Sequence, residues 1–245
     1  MAPDGATPMN DMGAYVRLEE VGVAEGIGTR GTQLLIARHA ETRDNAAGRW
    51  QGWNDSPLSE RGIAQAEDLA RRLARAPLAA VYCSDLGRAV HTARVAAAPH
   101  NLAPIATSAL RERNVGLFSG LTGAQVEERY APVLARRGAD GVLDWSPPEG
   151  ESYRQVLARV LPALDGIAAA WPGETALVVT HGGVVRLLAS YALDGDWAHT
   201  YQRHPSNCGL SHLTLSSDGR LTLHHFDERD YLDREASPPL AEGTA

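Results

Sequence analysis

In Gln33-Leu34-Leu35-Ile36-Ala37-Arg38-His39 a short apolar run stops abruptly at a guanidinium and an imidazole. A run that short suits a buried strand better than a core helix. The cationic pair then falls at the strand's carboxyl end. The same pattern recurs twice downstream. Ala79–Cys83 leads into Ser84-Asp85 and, one helical turn on, Arg88; Ala176–Thr180 leads into His181-Gly182-Gly183.

Between these strands the apolar spacing changes to that of helices. Leu58–Ala76 repeats Ile63, Ala66, Leu69, Ala70 and Leu73 after Ser59-Glu60, a helix start. Asp85–Ala98 predicts a second helix, stopped by Pro99, and Ile105–Ser108 a short strand. Glu151–Ala170 predicts a helix that Pro162 should kink or break. Gly183–Leu193 predicts another, and Leu210–Leu215 with Leu221–Phe226 a hairpin around Ser217-Asp218-Gly219. Alternating strands and helices imply an α/β fold: a three-layer sandwich with a mainly parallel central sheet flanked by helices and one edge hairpin. Residues 1–30 are expected to be a disordered leader with a short ordered piece at Ala14–Leu18, residues 31–233 the catalytic domain, and 234–245 a loose tail.

Composition narrows the function. The net charge of −7 argues against nucleic acid or an anionic membrane as the main partner. No apolar stretch reaches the ~18 residues of a membrane span, and no basic-then-apolar signal opens the chain, so a cytoplasmic protein is expected. Two cysteines, Cys83 and Cys208, make no disulfide framework. Lysine is absent, so all 23 basic residues are arginine, a planar fork suited to phosphate or carboxylate.

Several familiar chemistries are disfavoured. Gly26-Ile27-Gly28-Thr29-Arg30-Gly31 matches a dinucleotide fingerprint but precedes a strand instead of following one. A cysteine phosphatase needs C-x5-R; Arg88 comes one residue too soon after Cys83, and Thr214 occupies the position after Cys208. A Walker loop needs lysine, no G-x-S-x-G is present, and no zinc-binding spacing occurs, so no metal site and no cofactor are expected. His224-His225 reads as hairpin structure, one ring packed and one facing solvent.

What remains is three strand ends that converge where open α/β sheets bind ligands. Two arginines and two histidines meet there. Arginines bind phosphate oxygens bidentately and stabilise them during transfer. A neutral imidazole is available near pH 7 as a nucleophile. Gly182 and Gly183 let backbone approach an anion at a helix start. Glu112, in Leu110-Arg111-Glu112-Arg113-Asn114-Val115-Gly116, could protonate a leaving alkoxide and then activate water.

These residues resemble the histidine phosphatase superfamily, which includes the cofactor-dependent phosphoglycerate mutases. Arg38-His39-Ala40-Glu41-Thr42 is similar to R-H-G-E-[ST], with Ala40 for the usual glycine; Asn45, Arg49-Trp50-Gln51-Gly52-Trp53 and Asp55-Ser56-Pro57-Leu58-Ser59-Glu60-Arg61-Gly62 continue it. Ser84–Ala93, the Glu112 segment, Gly150-Glu151-Ser152 and Val179–Gly183 resemble further blocks, so the likeness runs from about Leu34 to Leu215. It implies that His39 becomes phosphorylated, that Arg38, Arg88 and His181 form the phosphate pocket, that Glu112 is acid then base, and that Asn45, Thr42 and Gly182 touch the substrate. A residue at position 40 other than glycine is compatible if its φ is negative.

The short connection from Leu121 to Glu149, and Val115 where the mutases carry tyrosine, favour a hydrolase of a small phosphorylated metabolite. Arg113 beside Glu112 is mutase-like, or a ligand for a second anionic group on the substrate. A mutase is the runner-up, and a catalytically inactive phospho-ligand-binding domain the third reading. Thr122–Glu149, with Arg129, Arg136, Arg137 and Trp145, is expected to form a lid, the kind of variable loop that sets specificity. Trp50 and Trp53 are candidates for the mouth or for the core.

Overall fold

A computed structural model describes residues 31–139 and 141–232. The expected leader with its Ala14–Leu18 piece, residues 26–30 of the dinucleotide-like motif, and the expected tail lie outside the described residues.

Six strands form one sheet: β1 (Thr32–Arg38), β2 (Leu78–Ser84), β3 (Ile105–Thr107), β4 (Thr175–Thr180), β5 (Leu210–Leu215) and β6 (Leu221–Glu228), in the order β3-β2-β4-β1-β5-β6. The first four run parallel; β5 and β6 are antiparallel to their neighbours and close one edge as a hairpin. β1 and β4 lie at the centre and are almost wholly buried, which is why both read as unbroken apolar runs and not as alternation.

Helices cover both faces. Helix α2 (Glu60–Leu73) and α3 (Gly87–Ala97) pack Ala66, Leu69, Leu73, Ala89 and Ala93 against Leu35, Val81, Leu177 and Val179. The other face carries α6 (Tyr153–Ala170) and α7 (Gly182–Ala192), with Val156, Val160, Leu164 and Leu188 against Leu34, Ile36 and Val178. Alternate residues of each strand serve the two cores, as the pleat requires. The short α1 (Arg43–Ala46) follows β1.

Two expectations need correction. Pro162 does not break α6, which runs through from Tyr153 to Ala170. Pro162 and Ala158, whose carbonyl loses its amide partner, both lie on the exposed face, where water can satisfy the freed oxygen. The stretch after Thr122 is not a loop but two helices, α4 (Gly123–Ala139) and α5 (Gly141–Asp144). Helix α4 bends at Tyr130 (φ −128°, ψ 22°), two residues before Pro132. Both helices rest on a small core of Val115, Phe118, Val126 and Trp145. In the hairpin His224 is exposed and lies against His212, with ring centroids 4.8 Å apart, while His225 is partly buried.

Candidate active site

Strand pairing decides which side chains meet. β1 and β4 are parallel and in register, with Arg38 opposite Thr180, and the His39 amide extends the ladder to the Thr180 carbonyl at 2.8 Å. The next residues on each chain, His39 and His181, therefore leave the sheet side by side. Their rings stand 5.1 Å apart, edge to face, and both are buried.

His39 Nδ1 lies 2.7 Å from the Ala40 carbonyl oxygen. A carbonyl only accepts, so Nδ1 carries the proton and Nε2 the free lone pair. Ala40 is fully buried and is not among the residues with positive φ, so the methyl in place of the family glycine is accommodated. Burial, then the Arg38 and Arg88 charges, hold the His39 imidazole well below the usual histidine range. Burial and the same arginines do likewise to His181. Both rings are neutral at pH 7.

At this pair several buried nitrogens lack hydrogen-bond partners. Neither nitrogen of His181 has a hydrogen-bond partner, nor do Nε of Arg38 and Nε of Arg88. Such orphaned groups are costly, and their clustering marks an anion site. Each guanidinium is anchored through terminal nitrogens. Arg38 Nη1 donates to the Pro205 carbonyl at 2.9 Å, and Arg88 donates to the carbonyls of Asn54 (2.8 Å) and Gly52 (2.7 Å). Asp55 accepts from the Gly87 amide at 2.5 Å and pairs with Arg88 Nη1 at 3.2 Å, fixing the start of α3 and the arginine together.

Glu112 sits on the loop after β3. Its Oε2 accepts the Gly183 amide at 3.0 Å, and its Oε1 accepts the Arg113 amide at 2.8 Å. The amino end of α7 thus holds this carboxylate, a favourable use of the helix dipole. Arg159, on α6, donates to the carbonyls of Ala109 (2.8 Å), Arg111 (2.7 Å) and Glu112 (2.9 Å) and pairs with Glu151 at 2.9 Å. Glu151 in turn accepts the Asn114 amide at 2.8 Å. Trp53 Nε1 donates to the Glu112 carbonyl at 2.8 Å, and Arg111 stacks over its ring.

The expected site residues divide into three groups. Arg38, His39, Arg88, His181 and Glu112 come together, with Gly182 against Arg38: a β-carbon there would lie 3.4 Å from Arg38 Nε. Asn45 is beside them; its Oδ1 accepts from the Thr42 amide and from Asn207, leaving its amide nitrogen to donate. Thr42 and Arg113 have other tasks. Thr42 is fully buried and caps α1, its hydroxyl accepting from the Asn45 amide and Gln51. Arg113 is buried between Trp145 and Tyr153, and each of its three nitrogens already donates, to Glu151 O, Tyr201 OH and Trp145 O. The sequence reading missed Asp55 and Asn207, whose amide donates to the His39 carbonyl at 2.9 Å. Among the described residues no helix is long and apolar enough to cross a membrane.

Residues 34–228 match the sequence model of the histidine phosphatase superfamily, branch 1. This chain belongs to that superfamily. Among relatives, a metal-independent phosphoserine phosphatase of Arabidopsis thaliana is 40% identical over 163 residues, covering 64% of this chain and 67% of its own length. A Yersinia pestis protein named "Probable phosphoglycerate mutase GpmB" is 36% identical over 187 residues, 74% of this chain and 84% of its own. A bifunctional protein of Mycobacterium tuberculosis is 35% identical over 208 residues, 84% of this chain; the match spans only 57% of that relative's length. The structure superposes on Bacillus stearothermophilus YhfR with a TM-score of 0.73 at 31% identity, covering 82% of this chain and all of the other. A mycobacterial glucosyl-3-phosphoglycerate phosphatase in complex with VO3 gives 0.72 at 29%, covering 80% and 99%. The named relatives in that superfamily include phosphatases and a probable phosphoglycerate mutase.

Proposed function

We propose that this member of the superfamily is a metal-independent phosphomonoester hydrolase that works through a phosphohistidine on a small phosphorylated metabolite. The observation that carries this is the group of buried nitrogens without partners, those of His181 with Nε of Arg38 and Nε of Arg88, beside a buried, neutral His39 whose Nε2 is free.

The chemistry follows from those positions. The phosphoryl oxygens accept from Arg38, Arg88, His181 and the Asn45 amide, which offsets their charge in a site of low polarity. Nε2 of His39 attacks phosphorus in line as the ester P–O bond breaks, and the departing alkoxide takes a proton from Glu112, which enters this step as the carboxylic acid and leaves it as the carboxylate. Nδ1–H stays on the Ala40 carbonyl, which stabilises the positive charge that develops on the ring. The Glu112 carboxylate then takes a proton from water, whose oxygen attacks phosphorus. The P–N bond breaks, returning neutral His39 and inorganic phosphate. Among the relatives, the Arabidopsis phosphoserine phosphatase and the mycobacterial glucosyl-3-phosphoglycerate phosphatase support the hydrolase reading.

The test is steady-state release of phosphate from p-nitrophenyl phosphate, with and without EDTA, by the full chain and by His39→Ala. Turnover that survives EDTA and is lost in His39→Ala is expected, together with an acid-labile phosphoprotein in rapid-quench samples. Undiminished turnover by His39→Ala, or activity lost to EDTA and restored by a divalent cation, overturns the proposal. Isomerisation of 3-phosphoglycerate primed by 2,3-bisphosphoglycerate at a rate above its hydrolysis would make the protein a mutase instead, the reading that the 36% identical Yersinia relative favours.

A further inference from the structure

One loop grips Arg38 at three points. The Pro205 carbonyl accepts Arg38 Nη1 at 2.9 Å, the Cys208 amide donates to the Arg38 carbonyl at 3.0 Å, and the Gly209 carbonyl accepts the Arg38 amide at 3.3 Å. Asn207, in the same loop, donates to the His39 carbonyl at 2.9 Å and to Asn45 Oδ1 at 3.3 Å. A loop that aims a guanidinium must itself be held. The holder is Asp227, near the end of β6: its Oδ1 accepts the Ser206 amide at 2.7 Å, and its Oδ2 accepts the Ser206 hydroxyl at 3.0 Å.

The backbone of β6 is shaped for this reach. Leu210 pairs with Glu228 and His212 with His225, so three steps on β6 span two on β5, a bulge that contains Asp227. There φ is 58°, in the left-handed region that glycine, asparagine and aspartate visit most readily. The Asp227 amide donates to the buried Ser211 hydroxyl at 3.1 Å, and the carboxylate lies so close to Gly209 that a β-carbon there would overlap Oδ1. Of the residue types that suit this φ, aspartate and asparagine bring an oxygen to Ser206, and glycine brings none.

We propose that Asp227 is a positioning residue for phosphate binding: from the bulge of β6 it holds Ser206, and so fixes the loop that aims the Arg38 guanidinium and the Asn45 amide at the phosphoryl group. The inference rests on the phosphate cradle described above and extends it to a side chain that acts through others.

The test titrates inorganic phosphate calorimetrically into the full chain and its variants, and measures kcat/KM across esters of differing leaving-group pKa. Asp227→Gly keeps the left-handed backbone and deletes the carboxylate. It should bind phosphate about tenfold more weakly, the factor that misaligning one charge-assisted hydrogen bond removes. Its leaving-group dependence should be unchanged, because the Glu112 loop is held elsewhere. Asp227→Asn keeps both the φ and the two contacts with Ser206, and should stay within about threefold of the unaltered protein. A merely stabilising carboxylate would lower the melting temperature of Asp227→Gly and leave its phosphate affinity alone. That result, or a changed leaving-group dependence, overturns the inference. If Asp227→Gly does not fold, Ser206→Ala decides: it removes one of the two contacts and should weaken phosphate about threefold, and unchanged affinity overturns the inference. Failure of the unaltered protein to bind phosphate sinks the cradle and this inference together, whereas absence of turnover with phosphate binding intact counts against the proposed function alone.

Discussion

A β-carbon on Gly183 would lie 2.2 Å from Oε1 of Glu112, whose other oxygen accepts the Gly183 amide at 3.0 Å. Gly183 is therefore the seat of the Glu112 carboxylate, the proton donor in the proposed reaction. Gly183→Ala must push the carboxylate away. A positioned general acid contributes about 10²–10⁴-fold, so kcat should fall by roughly 10- to 100-fold for alkyl phosphates and less for p-nitrophenyl phosphate, whose leaving group needs little protonation. Equal losses for both substrates would separate Gly183 from the acid step.

Arg159 and Glu151 hold the loop that carries the acid. One guanidinium grips the carbonyls of Ala109, Arg111 and Glu112 and a partly buried carboxylate, so Arg159→Met strands all of them. Breaking such a network costs about 2–4 kcal/mol. We expect a lower midpoint in urea and, at temperatures where the variant is folded, a steeper dependence of kcat on leaving-group pKa. Arg159→Lys keeps the charge but not the fork, and should recover little. An unchanged leaving-group dependence would reduce Arg159 to a purely stabilising role.

The hairpin histidines make stability depend on pH in a definite direction. Burial, with help from His224 and His225, pushes the His212 imidazole down to about 4, whereas in the unfolded chain it titrates near its ordinary 6.5. Between those values the unfolded chain binds the proton and the folded one does not, so stability falls as pH drops from about 6.5 towards 4 and is flat above. The buried His39 and His181 act in the same sense. The thermal midpoint should decline from pH 7 to pH 5, and His212→Gln, which can still reach Gln33, should shrink that decline. A midpoint independent of pH in this window would contradict the placement of these rings.

Most of the scaffold was legible because the apolar signals were clean. Leu34–Ala37 and Ala176–Val179 are central strands buried on both faces, and period and length agreed. The donors at the strand ends followed from that, since register alone brings His39 beside His181. Helix α4 was missed although Val126, Tyr130, Val133 and Leu134 carry its spacing; the bend at Tyr130 and Pro132 inside the helix interrupt that period. For Arg113 a sequence shows a charge but not the two carbonyls and the Tyr201 hydroxyl to which it donates. Asp55 and Asn207 act through the backbone of Gly87 and His39, contacts that join positions far apart in the chain and leave no local pattern.

The cysteines offer an independent check of the core. Cys83 is fully buried on β2, and burial raises its thiol to about 11; Cys208 is buried as well, and its thiol is raised further. Neither should be alkylated by iodoacetamide at pH 8 in the native protein, and both should react in denaturant. Rapid native labelling at Cys83 would contradict its position between the sheet and α3.

The edge hairpin has its two ends at the site and its tip far away. Leu210 pairs with Ala37, next to Arg38-His39, whereas Leu215 pairs with Thr32 at the opposite end of β1. The turn Ser216–Arg220 between β5 and β6 is therefore the natural place to graft a fluorophore, an affinity handle or a whole guest domain. Cargo there would be carried on the far pole of the molecule, where it could neither shade the entrance nor tug on the phosphate-gripping arginines.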